Sequence, residues 1–103
     1  MSPKNKIKLN FLRKKLDNLD IRLLKIVKER TEIIKKRTRI VEYMLTLKNL
    51  KKEIVDHKRI NEIIKSIRIK SKKNKVDPKI TTRIWKSMIW SFVDFQRRNF
   101  KKK

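Results

Sequence analysis

The chain contains no cysteine, no glycine and no alanine, and only one histidine among its 103 residues. The lack of cysteine excludes disulfides, thiolate nucleophiles and cysteine-ligated zinc sites. Without glycine the chain has neither a P-loop nor a glycine-rich dinucleotide-binding turn. The lone His57 cannot form a two-histidine metal site. We therefore expect neither a metal site nor a cofactor.

Long apolar runs are also missing from the sequence. No stretch approaches the roughly 20 apolar residues that span a bilayer, and the opening MSPKNKIKLN lacks the apolar core of a signal peptide. We therefore predict a cytoplasmic protein without a membrane partner. At this length, a single domain over residues 1–103 is the natural expectation.

Positive charge is what the chain has in excess. It carries 33 Lys or Arg against 10 Asp or Glu, which gives a net charge of +23. Such a surface attracts anions, whether nucleic acids or small dianions. A general lysine excess is explained equally well by AT-rich coding sequence. Composition does not explain a cation on an apolar helix face, so those positions are the informative ones.

The scarcity of turn residues favours an all-α fold. Residues 9 to about 50 contain no helix breaker, and apolar side chains recur there at alternating spacings of three and four. This pattern predicts one very long helix of about 60 Å at 1.5 Å per residue. No globule of 103 residues covers such a rod, so we predict an intertwined homodimer. The seam consists of Leu9, Leu12, Leu16, Leu19, Leu23, Ile26, Arg30, Ile33, Arg37, Ile40, Met44 and Leu47.

A second, shorter helix is predicted from about Asp56, a possible N-cap, to Lys73. Polar residues follow at its end, and the stretch Ser71–Val76 is interpreted as a connector. Its apolar face consists of Ile60, Ile63, Ile64 and Ile67.

A third helix is predicted to start at Asp77–Pro78, with Asp as the N-cap and Pro at the first helical position, and to end at about Asn99. Gln96, the sole glutamine, extends its apolar face and needs hydrogen-bond partners there. That face consists of Ile80, Ile84, Trp85, Met88, Ile89 and Phe92.

Two arginines, Arg30 and Arg37, stand on the seam in equivalent places of a seven-residue repeat, KERTEII and KKRTRIV. A buried unpaired guanidinium is costly, so each of them pairs with a carboxylate, reaches water or faces a bound anion. No nucleophile accompanies them, and we expect His57 to be solvated. These side chains suit a reaction that needs only positioning and electrostatic stabilisation, such as the unimolecular rearrangement of a dicarboxylate.

Five segments resemble, in order, those of the all-helical type II chorismate mutases. The resemblance covers roughly residues 9–99. It implies a homodimeric enzyme, with sites shared between the chains, that rearranges chorismate to prephenate in aromatic amino acid biosynthesis. The segments are LRKKLDNLDIRLLKIVKER (12–30), KKRTRIVEYMLTLK (35–48), VDHKR (55–59), VDPKITTRIW (76–85) and FVDFQ (92–96).

The resemblance also implies roles for individual residues. Arg37 would bind a substrate carboxylate, and Lys48 would contact a carboxylate and the ether oxygen. Gln96 would donate to the ether oxygen from the other side. Arg13 of the partner subunit would bind the other carboxylate, although Arg22 could replace it if the first helix is one heptad longer than in the family.

At several of the remaining site positions, the sequence differs from the family pattern. Arg30 is the alternative to Arg37, because the heptad repeat shifts the usual spacing. Asp56 and Arg59 would line the end that holds the ring hydroxyl. Ile60 stands where the family has a Glu, and Phe92 where it has a Ser, so neither can make the family's polar contact.

Three alternatives stay open at this point. A basic helical nucleic-acid-binding protein would explain the charge, but no recognised motif supports it and the cations are spread along the whole chain, so a nucleic-acid partner is disfavoured. The two polar contacts missing at Ile60 and Phe92 motivate a mutase-like dimer that has lost catalysis. The same fold could also host a lyase acting on isochorismate.

Overall fold

The computed structural model describes residues 2–48 and 55–99. Within these ranges the chain forms three α-helices and no strand: α1 (Pro3–Lys48), α2 (His57–Lys73) and α3 (Pro78–Asn99). The prediction of one very long helix followed by two shorter ones is confirmed. The chain divides into two compact units, Met1–Ile33 and Ile34–Lys103, and α1 contributes to both. The single domain and the intertwined homodimer stay predictions.

Helix α1 starts six residues earlier than the seam indicated. The Ser2 hydroxyl accepts a hydrogen bond from the backbone N–H of Asn5 at 3.2 Å, and Pro3 takes the first helical position. The predicted start at residue 9 was wrong because it followed the apolar seam. A capping hydroxyl and a proline start a helix without any apolar residue, since they act on the backbone alone.

The starts of α2 and α3 agree with the sequence. The Asp56 carboxylate accepts from the backbone N–H of Arg59 at 2.9 Å and so caps α2. The Asp77 carboxylate accepts from the backbone N–H of Lys79 at 2.9 Å, and Pro78 is the first residue of α3. Each aspartate satisfies a backbone donor that has no partner within its helix.

The predicted connector over Ser71–Val76 was partly wrong. Helix α2 ends at Lys73, as predicted, so Ser71–Lys73 belong to the helix and only the residues after them form the turn. The turn is a Schellman motif, in which the N–H of Val76 donates to the carbonyl of Ser71 at 2.9 Å and that of Lys75 to the carbonyl of Lys72 at 3.2 Å. Lys75 has a φ of 58°, the left-handed conformation that glycine usually supplies at this position.

Buried apolar and polar side chains both occur in the α2–α3 pair. Ile64 and Val93 are the only apolar side chains that are buried in the described part of the chain. Ser71 is buried as well, and its hydroxyl lies 2.7 Å from that of Thr81. Because Ser71 gives its one proton to the carbonyl of Ile67 at 2.6 Å, Thr81 is the donor between the two hydroxyls.

The predicted apolar faces are only partly buried in this chain. The four isoleucines of the α2 face are buried or half-buried, as predicted. On α3, Ile80 and Ile84 are more than half exposed, whereas Gln96 is buried on the face that it was predicted to extend. Val93, which was not predicted, is also buried, and the rest of the predicted face is half-buried: Trp85, Met88, Ile89 and Phe92. An apolar stripe shows which face of a helix is favourable to bury, but tertiary packing decides how much of that face is buried within one chain.

The unit Met1–Ile33 leaves its seam uncovered. Leu12, Leu16, Leu19, Leu23 and Ile26 are each between 51% and 59% exposed. A single helical segment has no core of its own, so these side chains have nothing within the unit to pack against. No helix within the described ranges is long and apolar enough to cross a bilayer.

Candidate functional site

A hydrogen bond between α1 and α3 joins two of the side chains that the sequence singled out. Nη1 of Arg37 donates to Oε1 of Gln96 at 2.8 Å. Arg37 is exposed overall, whereas Gln96 is only 6% exposed. The buried amide therefore has the partner that it requires, and the partner is a cation from a different helix.

This bond fixes the orientation of the Gln96 amide. Arginine has donors only, so the amide atom that faces it must be the oxygen. The nitrogen Nε2 and its two N–H groups are thereby left for another acceptor, and none is found among the described residues. Arg37 uses one of its five N–H donors on the amide, which leaves four. Together the two side chains offer several donors to an anionic or oxygen-rich ligand.

Thr38, beside Arg37 on α1, anchors this part of the helix. It is 4% exposed, and its hydroxyl donates to the carbonyl of Ile34 at 2.8 Å. The equivalent residue of the seven-residue repeat, Thr31, donates in the same way to the carbonyl of Val27 at 2.8 Å. Both copies of the repeat therefore make the same local hydrogen bond, from a threonine hydroxyl to the carbonyl four residues earlier.

The second helix contributes two of the predicted substrate-binding residues. Asp56 lies at the start of α2, where its carboxylate caps the helix, and Arg59 follows within the first turn. The guanidinium of Arg59 is exposed and lies 3.7 Å from the Glu62 carboxylate. Such an exposed pair contributes little to stability, so Arg59 can exchange this carboxylate for another anion.

Lys48 is the last residue of α1, and its side chain lies outside the described part of the chain. The predicted contact of its ammonium with a substrate stays a prediction.

Arg13 and Arg30 belong to the unit Met1–Ile33. Arg13 is exposed, and so is Arg22, the candidate to replace it. Arg30 is half-buried, and its Nε has no hydrogen-bond partner within the described ranges. Of the two seam arginines, Arg37 is the one bonded to Gln96.

Three further positions were discussed from the sequence. Ile60 and Phe92 are half-buried, and Phe92 packs edge-on against Phe95 with ring centroids 6.3 Å apart. His57 is exposed, as expected, and its ring also lies 6.1 Å from that of Trp90 on α3. The His57–Trp90 contact was not predicted, because nothing in the local sequence links two residues on different helices.

The direct bond between Arg37 and Gln96 was also missed. The sequence marked each residue as a polar group on an apolar helix face. The bond could have been predicted from their chemistry, because the Arg37 guanidinium has only donors and the Gln96 amide oxygen is an acceptor.

Over the described ranges this is an all-helical protein, in which an arginine of one helix donates to a buried amide of another. The sequence model of the chorismate mutase type II family matches residues 12–97. The match covers most of the chain and extends over parts of all three helices. The chain belongs to the chorismate mutase type II family, which confirms the resemblance. No curated protein and no solved structure matched the chain.

Proposed function

We propose that this protein is an active chorismate mutase, which converts chorismate to prephenate by an intramolecular Claisen rearrangement. Family membership supports the reaction type. The observation that supports the proposal is the bond from Arg37 to Gln96, because it joins the arginine proposed as a carboxylate ligand to an amide whose N–H groups have no acceptor among the described residues.

The rearrangement needs no group from outside the substrate. Within one molecule the ether C–O bond breaks as a C–C bond forms, and no proton or electron is gained or lost. Negative charge builds on the ether oxygen as its bond breaks, so fixed donors aimed at that atom stabilise the transition state more than the substrate. The lack of a nucleophile or a metal ligand set in the sequence suits this chemistry.

In the proposed site, Nε2 of Gln96 donates to the ether oxygen. Its amide is held in the donating orientation by Arg37, which occupies Oε1. The ammonium of Lys48 is proposed to approach the ether oxygen from the other side. Two donors set in advance cost no reorganisation during the reaction.

Arg37 is proposed to bind a substrate carboxylate with the N–H groups that it does not use on Gln96. A planar guanidinium matches the two oxygens of a carboxylate. Arg59 and Asp56 are proposed to hold the opposite, hydroxyl-bearing end of the substrate. The Asp56 carboxylate has a second oxygen beside the one that caps α2, which leaves it an acceptor for a hydroxyl.

A second copy of the chain is proposed to complete the site. The exposed leucine seam of the unit Met1–Ile33 supports a homodimer, since burying it needs another apolar surface. The partner subunit would then supply Arg13, or Arg22 in its place, to the second carboxylate. Arg30 would find an acidic partner or the substrate in the same assembly.

The homodimer is tested by the double variant Leu16→Lys, Leu23→Lys in sedimentation velocity. We expect the wild type to sediment as a dimer and the variant as a monomer, because two ammonium groups on the seam cannot be buried unpaired. The control is Asn10→Lys, Asn18→Lys, which adds the same charge at exposed positions on the opposite side of α1 and should leave the dimer intact. A wild-type monomer at micromolar concentration would contradict the proposal.

The activity is tested by incubating the purified protein with chorismate and identifying the product. We expect prephenate to form far above the uncatalysed rate. A folded dimer without turnover, whose melting temperature is not raised by a bicyclic transition-state analogue, would instead show a mutase-like protein that has lost catalysis. Release of pyruvate from isochorismate without prephenate formation from chorismate would identify a lyase.

A further inference from the structure

A groove on the α2–α3 pair is lined mainly by cations. It has a volume of about 310 Å³ and lies between the second half of α2 and the first half of α3. Four of its six lining residues are positively charged, and none is negatively charged. The lining consists of Arg68, Pro78, Lys79, Thr82, Arg83 and Lys86.

The surroundings of the groove do not neutralise it. Residues 63–93 contain nine Lys or Arg and a single carboxylate, Asp77. That carboxylate is engaged at the start of α3, where it accepts from the backbone N–H of Lys79. All nine cations are exposed. The ion pairs found among the described residues involve none of the four groove cations.

A cluster of like charges in a groove favours the binding of an anion. Like charges along one concave surface repel each other, and a groove lined by one sign of charge concentrates the potential that attracts a counter-ion. The sequence alone disfavours a nucleic-acid partner because the cations are spread along the whole chain. In the folded chain, four of these cations line one groove. At this surface, the spread of cations along the sequence is therefore no longer a reason against a nucleic-acid partner.

We propose that this groove binds the phosphate backbone of a nucleic acid without reading its sequence. Arg68 and Arg83 supply planar donors that match two phosphate oxygens, and Lys79 and Lys86 add point charges. No aromatic side chain lines the groove, so bases have no stacking surface in it. Contacts of this type position a strand and carry no sequence information.

A long polyanion suits the surface better than a single small phosphate compound. The groove opens onto solvent and is not an enclosed cavity. Outside the groove, Lys65 and Lys72 lie three residues before and four residues after Arg68 on α2, so they share its side of the helix and offer further positive charge to a ligand that extends beyond the groove. This binding is separate from the proposed mutase activity, because none of the groove residues is assigned to the mutase site.

The proposal is tested by fluorescence anisotropy with a labelled single-stranded oligonucleotide of mixed sequence, titrated with the protein at several salt concentrations. The groove variant carries Arg68→Gln, Arg83→Gln and Lys86→Gln. The control carries Lys4→Gln, Lys6→Gln and Lys14→Gln, which removes three exposed cations from the other unit.

We expect the groove variant to bind at least about tenfold more weakly at low salt, and the slope of log K against log salt to fall by about 2, since each lost phosphate contact removes about 0.7. In the control, the slope should fall by no more than about a third of the decrease expected for the groove variant. If the triple groove variant melts below the assay temperature, the single variants Arg68→Gln and Arg83→Gln are used. Each of them should lower the slope by about 0.7.

Three results would overturn the proposal. The first is a wild-type protein that does not bind the oligonucleotide at low salt. The second is an equal loss in the groove variant and the control, which would show attraction by net charge alone. The third is displacement of the oligonucleotide by inorganic tripolyphosphate at a lower phosphate concentration than by unlabelled nucleic acid, which would show a small phosphate ligand in its place.

Discussion

Nη1 of Arg37 on α1 donates to Oε1 of Gln96 on α3 at 2.8 Å, although the two residues are 59 positions apart in the sequence. This bond connects the seam of the long helix with the buried end of the last one. It also leaves the amide nitrogen of Gln96 and most of the guanidinium donors of Arg37 available to a ligand.

Replacing Arg37 should reduce mutase activity strongly. We expect Arg37→Ala to lower kcat/KM by about 10²–10³-fold, about 3–4 kcal/mol, because it removes a carboxylate ligand and frees the amide of Gln96 to rotate. Arg39→Ala is the matched control. Arg39 is exposed, pairs with the nearby Glu42 at 3.1 Å and should be dispensable for turnover.

The same assay decides between the two seam arginines. Arg30→Ala should cost less activity than Arg37→Ala, since Arg37 is the one bonded to Gln96. An Arg30→Ala variant that loses more activity than Arg37→Ala would reverse this assignment.

The variant Gln96→Glu should be active only at acidic pH. An ionised carboxylate cannot donate to the ether oxygen, and the neighbouring Arg37 stabilises the ionised form. Activity should therefore be low at neutral pH and rise as the pH falls and the introduced carboxyl becomes protonated. The pH profile of kcat/KM measures this effect. The wild type should show no comparable acid optimum, because an amide does not titrate.

The control for this profile is Gln96→Leu, which removes the donor at every pH and should stay poorly active throughout. If Gln96→Glu were equally active from acid to neutral pH, Gln96 would not be the ether-oxygen donor.

The buried hydroxyl of Ser71 should matter for stability. Ser71 donates to the carbonyl of Ile67 and accepts from Thr81, and it is 6% exposed. We expect Ser71→Ala to lower the free energy of unfolding by about 1–2 kcal/mol, because the Thr81 hydroxyl loses its best partner. Urea denaturation measures the change.

Ser91→Ala serves as the comparison for Ser71. The Ser91 hydroxyl makes the same type of bond, to the carbonyl of Ser87 at 2.7 Å, but at an exposed position. Its removal should change stability by less than about 0.5 kcal/mol. Equal effects of the two substitutions would show that the contact between the hydroxyls contributes nothing.

Replacing Lys75 by glycine should stabilise the chain. Lys75 has a φ of 58°, where a side chain clashes with the backbone and glycine does not. We expect Lys75→Gly to raise the free energy of unfolding by about 0.5–1 kcal/mol. Thermal denaturation followed by circular dichroism should show a Tm several degrees higher.

The opposite result is expected for glycine within a helix. Lys65→Gly, at an exposed position in the middle of α2, should destabilise by about 1 kcal/mol. A lower Tm for Lys75→Gly would mean that its ammonium group contributes more to this turn than its backbone conformation costs.

Local features of the chain were predictable from the sequence. Asp56 and Asp77 cap their helices as expected, and Pro78 starts α3. These signals are reliable because a cap acts on backbone groups only two or three residues away. The missed start of α1 at Pro3 has the same origin, since the Ser2 cap was passed over in favour of the apolar pattern.

Packing was less predictable. The sequence marked a continuous apolar face on α3, yet Ile80 and Ile84 are exposed whereas Val93 is buried. It assigned Ser71 to a polar connector, although its hydroxyl is buried against Thr81. Burial depends on which helices meet and where, and this information is absent from the periodicity of any single helix.

The sequence by itself determined the three helices, their caps, the apolar seam and the presence of polar side chains on apolar faces. Only the tertiary structure decided that Gln96 bonds to Arg37, because Arg30 and Arg37 share one heptad phase and cannot be told apart by local pattern. It also decided which cations gather in the α2–α3 groove. Helix formation is governed by neighbours within about four residues, whereas these contacts depend on how helices distant in sequence pack together.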